Sequence, residues 1–182
     1  MKKITTAIVG AALLALAGIA SATSVSVDVN AEANSLYGAN GNGADGKDTG
    51  LDITAGEFIT VSVPSTDTWQ NDPDSSYISG ADGHDGFVGD QHPNFDFTAD
   101  GLTAPFGALV GRIGTGAYFI VGESYTGTAA TSGELELFYW DSDYANNSGT
   151  VTATVTAVPE PGNLALMGLA FGAFALTRRR KA

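Results

Sequence analysis

The feature that most constrains this chain is a period of two. In residues 133–156, GELELFYWDSDYANNSGTVTATVT, Leu135, Leu137 and Tyr139 alternate with Glu134, Glu136 and Phe138. Further on, Val151, Ala153 and Val155 alternate with Thr150, Thr152, Thr154 and Thr156. Successive side chains of a strand point to opposite faces, so this pattern predicts two half-buried strands, the second with β-branched residues outward. The same period predicts a strand over 24–30, with Val25, Val27 and Val29 inward, and one over 58–63, with Ile59, Val61 and Val63 sharing a face. Residues 106–121 read as two strands around Gly114-Thr115-Gly116. Outside the termini no stretch carries the 3.6-residue period of a helix. Short strands separated by Gly, Asn and Asp turns indicate an all-β sandwich.

The connections are uneven. Residues 40–50 (NGNGADGKDTG) show no period and read as a loop, and Ala55-Gly56 marks a turn. Residues 64–105 are almost all turn formers, set around Trp69, Tyr77 and Phe87. So long a connection inside a domain is either functional or contains short strands that periodicity does not reveal.

The ends obey other rules. Lys2 and Lys3 precede an apolar run over 4–20, and Ala20-Ser21-Ala22 has the form of a signal-peptidase site, predicting an exported chain that matures at Thr23. At the other end Pro159-Glu160-Pro161 opens an uncharged stretch to Thr177, closed by Arg178, Arg179, Arg180 and Lys181. That stretch is just long enough, at about 17 residues, for a spanning helix. The basic cluster behind it favours the cytoplasmic side. The expected division is a signal peptide at 1–22, an ectodomain at 23–158 and a C-terminal membrane segment at 159–182.

Charge narrows the choice of partners. Of 8 basic residues only Lys47 and Arg112 lie in the ectodomain, and of 20 acidic ones only Glu160 lies outside it. Such a surface repels nucleic acid and anionic membranes and suits bound divalent cations, or serves solubility alone. With no cysteine, neither a disulfide nor a thiolate metal site is available.

One loop concentrates oxygen. Asp141, Asp143, Asn146 and Asn147 place four side-chain oxygen donors within seven residues. This is hard-ligand chemistry, suited to Ca²⁺. Ca²⁺ takes six to eight oxygens, so the loop alone is incomplete and needs a second loop plus water or ligand. The plainer alternative is a turn, since Asn, Asp and Ser-Gly are favoured turn residues.

Two resemblances follow from these residues. Pro159-Glu160-Pro161, the apolar run and the basic cluster at Arg178, Arg179 and Arg180 resemble the PEP-CTERM sorting signal. That resemblance implies a Gram-negative exported protein, held in the inner membrane by its C-terminal helix. Signal peptidase would process its N-terminus, and an exosortase would cleave it near the tripeptide for the envelope or extracellular matrix. The second resemblance is carried by Gly107-Ala108-Leu109-Val110-Gly111-Arg112-Ile113-Gly114, Gly133-Glu134-Leu135-Glu136-Leu137, Asp141, and Tyr144-Ala145-Asn146-Asn147-Ser148-Gly149. It is to the calcium-dependent galactophilic lectins of the PA-I type. It implies a jelly-roll-like β-sandwich with one calcium ion at its tip, bridging protein oxygens and two hydroxyls of a terminal galactose.

Carried over by position, Asp141 is the acidic calcium ligand, Asn146 and Asn147 are the paired side-chain ligands, and Asp143 offers a backbone carbonyl. A further carbonyl is expected from the loop after Trp69, at Asp72, and His92-Pro93 stands where the family has a sugar-contacting His-Pro pair. The implied sugar-binding residues are thus Asp141, Asp143, Asn146 and His92. The chain departs from the family in a shorter loop over 141–146 and a much longer one over 72–100. The resemblance therefore implies calcium more directly than it implies galactose.

The remaining candidates have blander readings. Asp82-Gly83-His84-Asp85-Gly86 is a second oxygen-rich stretch or a Gly-rich acidic loop. His84 and His92 have no metal-ligand partner at characteristic spacing, so an exposed or hydrogen-bonding role is expected. Trp140 could stack on a sugar or pack in the sheet. Glu134 and Glu136 face one side of a strand, as a solvated face does. No catalytic constellation is found, and an enzyme is not expected. Two functions remain: a calcium-dependent binder of a glycan or exopolysaccharide, and a structural envelope or matrix protein that calcium merely stiffens.

Overall fold

A computed structural model describes residues 21–37, 46–73, 77–84 and 95–159. Residues 1–20 of the expected signal peptide, His92 and the tail after Pro159 lie outside these described residues. The chain divides into Ala22–Val158 and a second unit of Met1–Ser21 with Pro159–Ala182; the architecture below is that of the first. Among the described residues no helix is long and apolar enough to cross a membrane, and the expected spanning segment lies outside them.

The period-two segments form two antiparallel sheets. In the first, β12 (Ser148–Val158) is central and pairs with β1 (Thr23–Asn30), β3 (Phe58–Ser62) and β4 (Trp69–Gln70). Beyond these, β10 (Ser124–Thr128) lies beside β3 and β5 (Ile78–Ser79) beside β4, while β1 is bonded to β12 alone among the described strands. The second sheet has the order β2 (Lys47–Ile53), β11 (Gly133–Tyr139), β8 (Leu109–Ile113) and β9 (Phe119–Ile120). A separate hairpin joins β6 (Asp96–Ala99) to β7 (Leu102–Pro105). The expected all-β sandwich is what forms.

The core lies where the alternation put it. Val151, Ala153 and Val155 of β12 and Ile59 and Val61 of β3 share one buried cluster with Leu135, Leu137 and Tyr139 of β11. Leu135 and Leu137 are fully buried, each contributing about 1.5–3 kcal/mol by leaving water. β12 sends Thr152 and Thr154 outward, where their hydroxyls bond Asp28 and Ser26 of β1 at 2.9 Å.

A second cluster occupies the opposite face of the β11 sheet. There Phe138, Trp140 and Val110 are covered by Ala99, Ala104, Phe97 and Leu102 of the β6–β7 hairpin. Both faces of β8 are therefore buried, which is why it shows no alternation. The long connection over 64–105 thus contains short strands, one of the two options left open for it.

Two further strands escape the periodicity argument. Residues 47–50, expected as loop, belong to β2. Here Gly50 takes φ +70 and the pairing with β11 shifts register between Glu134 and Glu136, while Thr49 Oγ1 donates to Leu135 O at 2.8 Å. The outward positions are Asp and Gly, which read as turn residues. β10, Ser-Tyr-Thr-Gly-Thr, is an edge strand whose Ser124, Thr126 and Thr128 are exposed. It carries no apolar period to detect.

Candidate functional site

β11 and β12 belong to different sheets, so residues 140–147 do not close a hairpin but cross the end of the sandwich. Trp140 anchors the start of the crossing. It is fully buried, its backbone N–H donates to Ala108 O and its indole Nε1–H to Phe97 O, both at 3.0 Å. Of its two readings, packing is the one the structure gives.

Asp141 follows and is itself buried, at 4% exposure. Its Oδ1 accepts the backbone N–H groups of Ser142 and Asp143, at 2.5 and 3.2 Å. Asp143 then caps a 3-10 turn, Tyr144–Asn146, its Oδ1 accepting Ala145 N–H at 3.0 Å. Asn147 closes the turn through its N–H to Tyr144 O (3.1 Å) and donates Nδ2–H to Ala31 O (3.4 Å). β12 can begin directly afterwards because Gly149 sits at φ +93, where a Cβ would lie 2.8 Å from Trp69 Cα.

Three polar side chains in this loop are anomalous. Oδ1 of Asn146 and Oδ1 of Asn147 are buried without a hydrogen-bond partner. An unsatisfied buried acceptor costs about 1–3 kcal/mol, and native folds keep few of them. Burial also raises the Asp141 carboxyl from 3.8 to about 6, against the opposing backbone N–H bonds from Asp143 and Ser142 and the side chain of Asn147. Arg112 is committed to Glu136 at 2.7 Å. Desolvated acceptor oxygens beside a desolvated carboxylate fit a hard cation.

The loop opens on a cleft of about 250 Å³. Asp141, Ser142, Asp143 and Asn146 line it with Asn71 and Asp72 from the loop after β4, as do the rings of Tyr77, Phe95 and Phe106. Four of the expected site residues, Asp141, Asp143, Asn146 and Asp72, therefore share one cleft. Asn147 is buried against Ala31 O, and His92 lies outside the described residues. The Asp72 carbonyl accepts the side-chain amide of Gln70. Among the described residues no three His, Cys, Asp or Glu side chains form a metal-holding group. An ion here would thus depend on amide and backbone oxygens as well as carboxylates.

Sequence reasoning missed Asn71, Phe95 and Phe106. Asn71 Oδ1 lies 3.3 Å from Nε2 of His84, which is fully buried, so the hydrogen-bonding role is the one His84 takes. The only prior signal for Phe95 was its place in a turn-rich stretch, and Phe106 stood at the start of a segment that reads as strand. Glu136 is paired with Arg112 and Glu134 is exposed beside Asp48, whose hydrogen bond raises the Glu134 carboxyl.

The fold is an all-β sandwich with an oxygen-rich loop at one end. One similar solved structure is described as the N-terminal domain of EclA, a PllA-like lectin. The match has a TM-score of 0.51 and 24% identity, and covers 73% of this chain and 95% of that one. Residues 157–181 match the PEP-CTERM protein-sorting motif, which indicates export and membrane-anchored sorting in Gram-negative bacteria, with exosortase processing. No curated protein matches the chain in sequence.

Proposed function

We propose that this protein is an exported, calcium-dependent binder of neutral glycans, with a galactoside as the first candidate ligand. The observation that carries the reading is the pair of buried, unpartnered Oδ1 atoms of Asn146 and Asn147 beside buried Asp141. These three residues would hold the ion, assisted by backbone oxygens at Asp143 and Asp72, which line the same cleft. Bound there, Ca²⁺ supplies a hard cationic centre that accepts hydroxyl oxygens as well as protein oxygens. The chain's part is to orient the Asp141 carboxylate through two backbone N–H groups and to keep the cleft open beside it. No proton transfer is required, and the reading is of binding rather than catalysis. The similarity of fold to a PllA-like lectin supports it. In the further reading, signal peptidase removes residues 1–22 and the protein ends in the envelope or matrix.

The full-length protein on a glycan array tests this. Binding to neutral sugars should vanish with EDTA and return with calcium, at about micromolar to millimolar affinity for one site. Calcium binding without affinity for any neutral sugar would leave the structural role instead.

A further inference from the structure

Of the large apolar side chains exposed among the described residues, Tyr37, Phe58, Ile78, Phe95 and Ile120, only Phe95 lines the cleft. It is 41% exposed, yet its position is tightly set. Its ring stacks on Phe106, with centres 4.3 Å and planes 16° apart, and its carbonyl accepts Phe106 N–H at 2.8 Å. Phe106 is held in turn: its ring lies 5.1 Å from that of Phe97, whose ring lies 5.7 Å from that of Trp140. The next residue, Gly107, donates its N–H to Trp140 O at 2.9 Å. The chain of contacts therefore ends on the residue immediately before Asp141. Aromatic ring and oxygen loop are fixed in one frame.

A cleft built this way asks for a ligand with two unlike sides. The Asp141, Asp143 and Asn146 side takes hydroxyl oxygens, directly or through a cation. The Phe95 side takes C–H groups, because a ring's electron-rich face attracts weakly positive hydrogens. A pyranose whose C–H bonds gather on one face meets both demands, and the acidic surface disfavours an anionic one. We propose that Phe95, stiffened by Phe106, is a specificity-determining residue that stacks on the apolar face of a neutral pyranoside. The proposal rests on the reading of the cleft as a sugar site, and it assigns the part of the sugar that the oxygens leave uncovered.

Methyl galactoside titrated into the calcium-loaded full-length protein provides the test, with calcium affinity measured in parallel. Wild type should bind and move the sugar's C–H proton resonances upfield by ring current. Phe95→Ala should weaken binding by about tenfold and abolish the upfield shifts, with calcium affinity unchanged, while Phe95→Tyr restores both. Equal sugar affinity in Phe95→Ala overturns the stacking role and leaves the glycan reading standing. A matching fall in calcium affinity makes the ring a structural support and also overturns it. If calcium-loaded wild type binds no neutral pyranoside, both readings fall together.

Discussion

At the scale of single residues, Asp141 has the most to reveal. Burial raises its carboxyl from 3.8 to about 6, so the folded chain holds this proton more tightly than the unfolded chain does. In chelator, the resulting stabilisation is complete below pH 3.8 and is lost as pH rises through 6. A shift of this size is worth on the order of 3 kcal/mol. Asp141→Asn should therefore raise the melting temperature of the metal-free protein at neutral pH and flatten its dependence between pH 4 and 7. The same variant should lose the calcium-induced rise in melting temperature that mass action gives the wild type. A retained calcium response would place the ion elsewhere. Gly149 makes a second residue-scale case. With φ +93 and a Cβ position 2.8 Å from backbone, Gly149→Ala should destabilise by about 1–3 kcal/mol, read as a lower urea midpoint.

At the scale of elements, the β6–β7 hairpin acts as a cover. It is paired only to itself among the described strands, and it is held by Phe97, Ala99, Leu102 and Ala104 against Phe138 and Trp140. A directional tie to the sandwich is the Trp140 indole N–H to Phe97 O. Phe97→Ala removes a ring that touches both Phe106 and Trp140. The expected loss is about 2 kcal/mol, below the ~3–5 of a fully buried Phe. Hydrogen exchange at the Trp140 indole N–H should accelerate more than exchange along β12. Equal acceleration at both would mean that the hairpin does not open separately from the sandwich.

At the scale of the whole molecule, sorting and charge dominate. The PEP-CTERM motif over 157–181 begins at the end of β12, so cleavage near Pro159-Glu160-Pro161 would leave the sandwich's strands intact. Intact-mass analysis of protein from its native host should show a chain lacking residues 1–22 and the basic cluster 178–181. A soluble form that retains Arg178 to Lys181 would contradict that expectation. Residues 23–158, with Lys47 and Arg112 as their only Lys or Arg, repel one another. Moderate salt should therefore stabilise this segment even without calcium.

The sequence alone determined the strands whose faces differ. Leu135, Leu137 and Tyr139, and Val151, Ala153 and Val155, had one possible inward side once paired, because a strand's period admits no compromise. It also determined the C-terminal sorting motif and the oxygen loop, since these depend on residue type and local order. It was silent on β10, whose outward hydroxyls carry no apolar signal, and misleading on 47–50, where Asp and Gly read as turn. Only the tertiary structure decided that β11 and β12 enter different sheets, turning an apparent hairpin loop into a crossing at the end of the sandwich. Asp72 was expected beside Asp141 from the lectin resemblance, but only the tertiary structure brought Phe95 and Phe106 there, across separations that no local pattern encodes. The physical reason is the same in each case. Alternation and charge are properties of neighbours in the chain, whereas a cleft is made by whichever distant segments the buried core leaves side by side.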